Sequence, residues 1–155
     1  MTSLSFKDLG LSQSVLTAIS AKGFEEPTPI QALTIPKLLE NKQDIIAQAQ
    51  TGTGKTAAFG LPLIDLVDPG SSHVQALILA PTRELAIQVS DEIHSFISKS
   101  PLKITPIYGG QSIDQQLRRL KKGVQIVVGT PGRIIDHLNR RTLKLTQVKY
   151  LVLDE

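Results

Sequence analysis

The chain has 155 residues, 41% of them hydrophobic, and no cysteine. This is the length of one domain or of part of a larger one; a disulfide framework and a thiolate metal site are excluded, and no apolar run is long enough to span a membrane. A net charge of +3 and a pI near 9.3 are compatible with nucleic-acid binding without arguing for it.

The opening stretch, Met1–Asp8, has no apolar signal-peptide core. With the missing cysteines, this favours the cytoplasm. Helices are expected at Ser12–Ala21 and Pro29–Leu39; Gly23 ends the first, and Pro27-Thr28-Pro29 resets the chain for the second. Asn41-Lys42-Gln43-Asp44 spells the N-K-x-D signature by which GTPases read guanine. It stands just before a glycine-rich loop instead of long after it, so it reads as a polar turn. Five short apolar runs then read as strands: Asp44–Ala49, Val74–Ala80, Lys103–Tyr108, Val124–Gly129 and Lys149–Asp154. Several are continuous, as in Ala76-Leu77-Ile78-Leu79-Ala80, the pattern of strands buried on both faces of a parallel sheet. Between them, Leu85, Val89, Ile93 and Phe96 share one helical face, as do Ile113, Leu117 and Leu120, and Ile134 and Leu138. Thr130-Pro131 resembles a helix start. The alternation predicts an α/β, doubly wound fold: a mostly parallel sheet of about five strands with helices on both faces. His73, His94 and His137 show no ligand spacing and read as surface or helix-face residues.

Gln50-Thr51-Gly52-Thr53-Gly54-Lys55-Thr56 lies between the first expected strand and a helix. Glycines let backbone N–H groups curl around phosphate oxygens, and the helix N-terminus presents unpaired N–H groups to the same anion. Lys55 would reach the β and γ phosphates, and Thr56 would place its hydroxyl on Mg2+. The general pattern starts with Gly where this chain has Ala49, which removes no backbone donor. The complementary half of a triphosphate site is an acid at a strand end, and Tyr150-Leu151-Val152-Leu153-Asp154-Glu155 supplies it. Asp154 can hold Mg2+ directly or through water. Glu155 can orient and deprotonate an attacking water.

Further segments fall into register with a known family. Gly23–Gln31, with Phe24, Thr28 and Gln31, resembles the Q motif of DEAD-box RNA helicases. Ala49–Thr56 resembles their motif I, and Pro81-Thr82-Arg83-Glu84-Leu85-Ala86 their motif Ia. Gly109-Gly110 resembles the GG doublet, Thr130-Pro131-Gly132-Arg133 motif Ib, and Asp154-Glu155 the start of motif II. The stretch from Tyr108 to Arg133 is most similar to bacterial members of the cold-shock and ribosome-assembly type. The resemblance implies a partial N-terminal RecA-like P-loop NTPase domain of an ATP-dependent RNA helicase, with ATP and Mg2+ as cofactors. By it, Gln31 pairs with adenine, an edge its amide can read. Phe24 stacks on the ring and Phe6 buttresses it, core packing being the alternative for Phe6. Pro81–Glu84, Gly109-Gly110 and Thr130–Arg133 would grip single-stranded RNA by its backbone, fixing position without reading sequence. Arg83 and Arg133 suit phosphate, the alternative being internal salt bridges with Glu84 or Asp136. Arg118-Arg119-Leu120-Lys121-Lys122 and Arg140-Arg141 read as solvated helix faces. The family continues with a serine-alanine-threonine motif, whose strand lies between those of the phosphate loop and Asp154-Glu155, and with a second RecA-like domain carrying arginine fingers. The resemblance therefore implies a fragment inactive alone, with an open gap in its sheet that invites self-association.

Overall fold

The computed structural model describes residues 3–155. Its contacts divide the chain into two units: one runs through Leu66 and includes Ser95–Ser100, and the other comprises Val67–His94 and Pro101–Glu155.

The first unit is helical. A 3-10 turn at Phe6–Leu9 leads to α1 (Gln13–Ala21), α2 (Pro29–Glu40) and α3 (Lys55–Leu66). Ser12 caps α1 by accepting from Val15 N–H at 3.3 Å. Asp65 of α3 holds that cap in place, accepting from the Ser12 N–H at 2.7 Å and from its hydroxyl. Pro29 opens α2, where its missing N–H costs no helical bond. Asn41 closes α2 in the left-handed conformation, φ 55°, so Asn41–Asp44 forms the turn expected of it. Phe6, Leu9, Val15, Ile19, Ile35 and Leu61 form the core of this unit together with Phe96.

The expected strand at Asp44–Ala49 is not formed: the segment has no regular structure, and Ile46 is fully exposed. A strand exists by pairing, and among the described residues this run is paired with none. Among the described residues the strands number four, not five.

The second unit contains them: β1 (Ala76–Leu79), β2 (Ile104–Ile107), β3 (Ile126–Gly129) and β4 (Tyr150–Leu153), with helices α4 (Arg83–Phe96, whose last two residues belong to the first unit), α5 (Ile113–Lys122) and α6 (Pro131–Asn139) between them. The order across the sheet is β2-β3-β1-β4, and every pairing is parallel. In register, Ile107, Gly129, Leu79 and Leu153 form one row across it. Leu77, Ile107 and Val127 pack with Ile134 and Leu143 on one face. The alternate residues Ala76, Ile78, Ile126 and Val128 are equally buried, which is why these strands read as unbroken apolar runs. Two buried amides hold the segments entering β1 and β3. Gln75 accepts from Asp68 N–H at 2.9 Å and donates to Asp68 O at 2.8 Å. Gln125 accepts from Lys103 N–H at 2.8 Å and donates to Ser71 O at 2.6 Å. β4 borders the sheet, with Leu151 60% and Leu153 72% exposed. Among the described residues, no helix is long and apolar enough to cross a membrane.

Candidate functional site

In the first unit, the loop before α3 turns on Gly52 and Gly54, at φ 81° and 84°, where a side chain would strain the backbone. Thr53 ties the loop internally by donating its hydroxyl to Gln50 O. Gly54 O accepts the first helical bond of α3, from Ala58 N–H at 3.1 Å, so Lys55 and Thr56 occupy the first turn, where N–H groups have no acceptor within the helix. Gln31 is buried against this loop. Its Oε1 accepts from Thr28 N–H at 3.0 Å, and its Nε2 donates to Gly54 O at 3.1 Å. A side-chain amide has two donors and two lone pairs, so one of each remains for a ligand. Thr28 Oγ1, beside Gly54, is buried with no hydrogen-bond partner.

Phe24 remains partly exposed while resting on two rings. Its centroid lies 6.5 Å from that of Phe6, with an interplanar angle of 21°, and 5.8 Å from that of Phe96. Phe6 itself is buried in the core, so it serves as packing and as the support behind Phe24. Lys22 Nζ sits 4.4 Å over the Phe96 ring, a cation–π contact that holds the cluster together.

The second unit gathers the segments that follow its strands. Ladder bonds run one step past the register row: Thr130 N–H donates to Ile107 O at 3.0 Å, Ala80 N–H to Gly129 O at 2.9 Å, and Asp154 N–H to Leu79 O at 3.0 Å. The chain therefore leaves β2, β3, β1 and β4 at one edge, toward Gly109-Gly110, Thr130–Arg133, Pro81–Glu84 and Asp154-Glu155 respectively. This carboxyl edge is where open α/β sheets bind ligands. Arg83 Nη1 lies 3.1 Å from where a Cβ on Gly110 would sit, and Gly110 has φ 82°, so the turn passes close to that guanidinium because it is glycine. Thr82 caps α4, its hydroxyl accepting from Leu85 N–H at 3.2 Å. Thr130 caps α6 through its backbone, its side chain making no capping bond.

The two arginines differ. Arg83 is 54% exposed and faces the still more open Glu84, 76% exposed, at 3.5 Å. Arg133 is 16% exposed and lies 3.9 Å from Asp136; its Nη1 donates to Gln111 O and Gln116 Oε1, both at 3.2 Å. Both internal ion pairs open as alternatives in the sequence are thus formed, but only Arg133 is recessed by its contacts. Of the two placements expected for His137, it lies on a helix, α6, and not at the surface. It is fully buried, with Nε2 2.8 Å from Gln116 Oε1 and Nδ1 2.8 Å from Thr142 Oγ1. Burial first, then the neighbouring Arg133, holds its pKa below the ordinary 6.5. Hydrogen bonding to Arg140 holds the Asp136 carboxyl below its usual range.

The sequence reading also passed over Gln116, the one fully buried residue of α5. A signal was present: Gln116 falls between Ile113 and Leu120 on the apolar face, a polar residue where the helical period asks for an apolar one. Among the described residues, no three His, Cys, Asp or Glu side chains gather to hold a metal by themselves.

Comparison with known proteins bears on all of these segments. The sequence pattern of the DEAD/DEAH box helicase family matches residues 28–155. The DEAD-box ATP-dependent RNA helicase CshA of Geobacillus kaustophilus is 60% identical over 150 residues, which are 97% of this chain and 32% of that protein. The protein of the same name in Bacillus subtilis is 56% identical over 152 residues, 98% of this chain and 31% of its own length. The crystal structure of a DEAD box protein from the hyperthermophile Methanococcus jannaschii matches with a TM-score of 0.93 and 55% identity, over 97% of this chain and 41% of that one. The chain spans about a third of the length of these curated relatives.

Proposed function

The chain belongs to the DEAD/DEAH box helicase family, and from that membership we propose that, in a protein of its relatives' length, it serves an ATP-dependent RNA helicase that separates short duplexes in the cytoplasm. The observation that carries this reading is the carboxyl edge of the sheet. Three segments suited to a sugar–phosphate backbone leave three adjacent strands there, and an acidic pair leaves the fourth. Arg83, open and beside the Gly109-Gly110 turn, supplies the charge-assisted phosphate contact. Pro81, Thr82, Glu84, Thr130, Pro131 and Gly132 shape the surface around it. None of these groups reads a base edge, so binding positions RNA without regard to sequence.

The first unit fits an adenine nucleotide. The left-handed glycines leave the Gln50–Gly54 backbone free of Cβ atoms at its turns, and Thr28 Oγ1 is a buried hydroxyl lacking a partner. Gln31 keeps one amide donor and one acceptor for adenine, and Phe24 offers a supported ring face. Lys55 would place a cation at the phosphates and Thr56 an oxygen ligand on Mg2+, which needs few protein carboxylates when phosphates share it. Bound MgATP supplies the phosphoanhydride whose hydrolysis drives strand separation. Within the first unit, Lys55 would offset the negative charge that accumulates on the phosphate oxygens; in the second, Asp154 can hold a metal ion at its carboxylate and Glu155 can take a proton from water.

The test is displacement of one strand from a short RNA duplex by the full-length protein with MgATP. Lys55→Ala and Glu155→Gln are each expected to abolish it, and GTP should not replace ATP. Unwinding that survives both substitutions would sink the reading.

A further inference from the structure

Gln116 makes as many hydrogen bonds as a side-chain amide allows. Its Nε2 donates to Tyr108 O at 2.9 Å and to Gln111 Oε1 at 3.1 Å. Its Oε1 faces Arg133 Nη1 at 3.2 Å and His137 Nε2 at 2.8 Å. Two donors and two lone pairs are thereby used. The orientation is forced, because a guanidinium only donates, so the oxygen must face Arg133. His137 must then carry its proton on Nε2, leaving Nδ1 to accept from Thr142. The single Thr142 hydroxyl proton has two acceptors within reach, His137 Nδ1 at 2.8 Å and His137 O at 3.1 Å, and Nδ1 is the nearer.

These four bonds have one spatial consequence. Tyr108 and Gln111 bracket Gly109-Gly110, and both are bound to Gln116. Arg133, the last residue of the Thr130–Arg133 segment, is bound to Gln116 and to Gln111 O. We propose that Gln116, held in orientation by His137, is a positioning residue for RNA binding: it locks the Gly109-Gly110 turn to the first turn of α6 so that the two engage one RNA backbone together. Gln116 is fully buried and touches no RNA itself. Arg133 acts through the same lock more than as a direct phosphate ligand, because its contacts face inward. This inference rests on reading the carboxyl edge as the RNA site.

The test uses this chain and a fluorescein-labelled oligouridylate, with anisotropy read at a temperature where every variant is folded. Gln116→Met keeps the length and volume of the side chain and removes all four polar contacts. It is expected to weaken binding about tenfold and to shift the backbone amide resonances of Gly110, Gln111 and Arg133. Leu120→Ala, a core truncation in the same helix, serves as the control: it should lower the melting temperature and leave affinity within about twofold. Gln116→Met affinity within twofold of wild type, while Arg83→Ala weakens binding, overturns the positioning role alone. No binding by wild type, or equal binding by Arg83→Ala, overturns the RNA reading of this edge and the inference with it. An affinity loss in Leu120→Ala matching that of Gln116→Met overturns the inference as well, since general loosening of α5 would then suffice.

Discussion

At the scale of single residues, the phosphate loop is shaped by what Gly54 lacks. A Cβ there would sit 2.3 Å from Gln31 Nε2 and 3.3 Å from Thr28 Oγ1. Gly54→Ala therefore meets two penalties. The left-handed conformation costs an L-residue ~1–2 kcal/mol, and the methyl must displace an amide that bonds Gly54 O. Urea melts should show a loss above ~1 kcal/mol, and a smaller loss when Gln31→Ala is already present, since the steric part is then relieved. Equal losses in both backgrounds would contradict the contact. His137 gives a second prediction at this scale. Burial lowers its pKa most; of the charged groups around it, Arg133 and Arg140 lower it further and Asp136 opposes them. With the folded value below 6.5, the unfolded chain takes up the proton first as the pH falls. The stability from neutral His137 is thus fully present above 6.5 and is lost as the pH falls from there through the folded value. Melts at successive pH values should show that loss in wild type and a flatter profile in His137→Gln. Parallel profiles would remove His137 as its source.

At the scale of elements, α6 sits where it does because β3 ends in glycine. A Cβ on Gly129 would lie 2.3 Å from Ile134 Cδ1 and 2.5 Å from its Cγ1, with Ile107 O at 3.2 Å. The first turn of α6, which carries Gly132 and Arg133, is packed onto a bare backbone. Gly129→Ala is overpacking and should cost ~1–3 kcal/mol. Ile134→Ala removes both clashing carbons, so the double variant should be less destabilised than the two single losses predict; strict additivity would refute the close packing. Most of this element structure was legible in the sequence. Continuous apolar runs identified all four of these strands to within two residues, and the 3.6-residue period identified α4, α5 and α6. The failure was Asp44–Ala49, whose composition is that of a strand but whose pairing depends on a neighbour the pattern cannot see. In the site, the motif segments were legible because backbone demands are written into residue type: glycine at turns, threonine at caps. Gln116 and His137 were not, because a buried polar side chain is distinguished from a solvated one only by partners distant in sequence. Arg83 and Arg133 look alike in sequence, and only tertiary contacts separate the open one from the recessed one.

At the scale of the whole molecule, the border of the sheet sets how this 155-residue chain behaves in solution. Tyr150 N–H donates to Gln75 O at 3.2 Å and Asp154 N–H to Leu79 O at 3.0 Å, both toward β1. The period of two then turns the backbone groups of Leu151 and Leu153 outward, away from β1. The same two leucines expose their side chains. Natural edges are commonly guarded by proline, an inward charge or a bulge, and Tyr150–Leu153 contains none of these. An apolar edge with outward-facing backbone groups is a template for strand addition, and the occupant at hand is a second copy of the same strand. Sedimentation velocity should show association that grows with concentration, evident on the order of 100 μM, within the range where unpaired edges self-associate. Leu151→Lys combined with Leu153→Lys should restore the monomer with stability changed by only ~0.5 kcal/mol, the usual effect of exposed substitutions. A wild-type chain that stays monomeric across that range would show the edge to be protected despite its composition; association that persists in the double variant would place the contact elsewhere, with the exposed Ile46 the next residue to substitute.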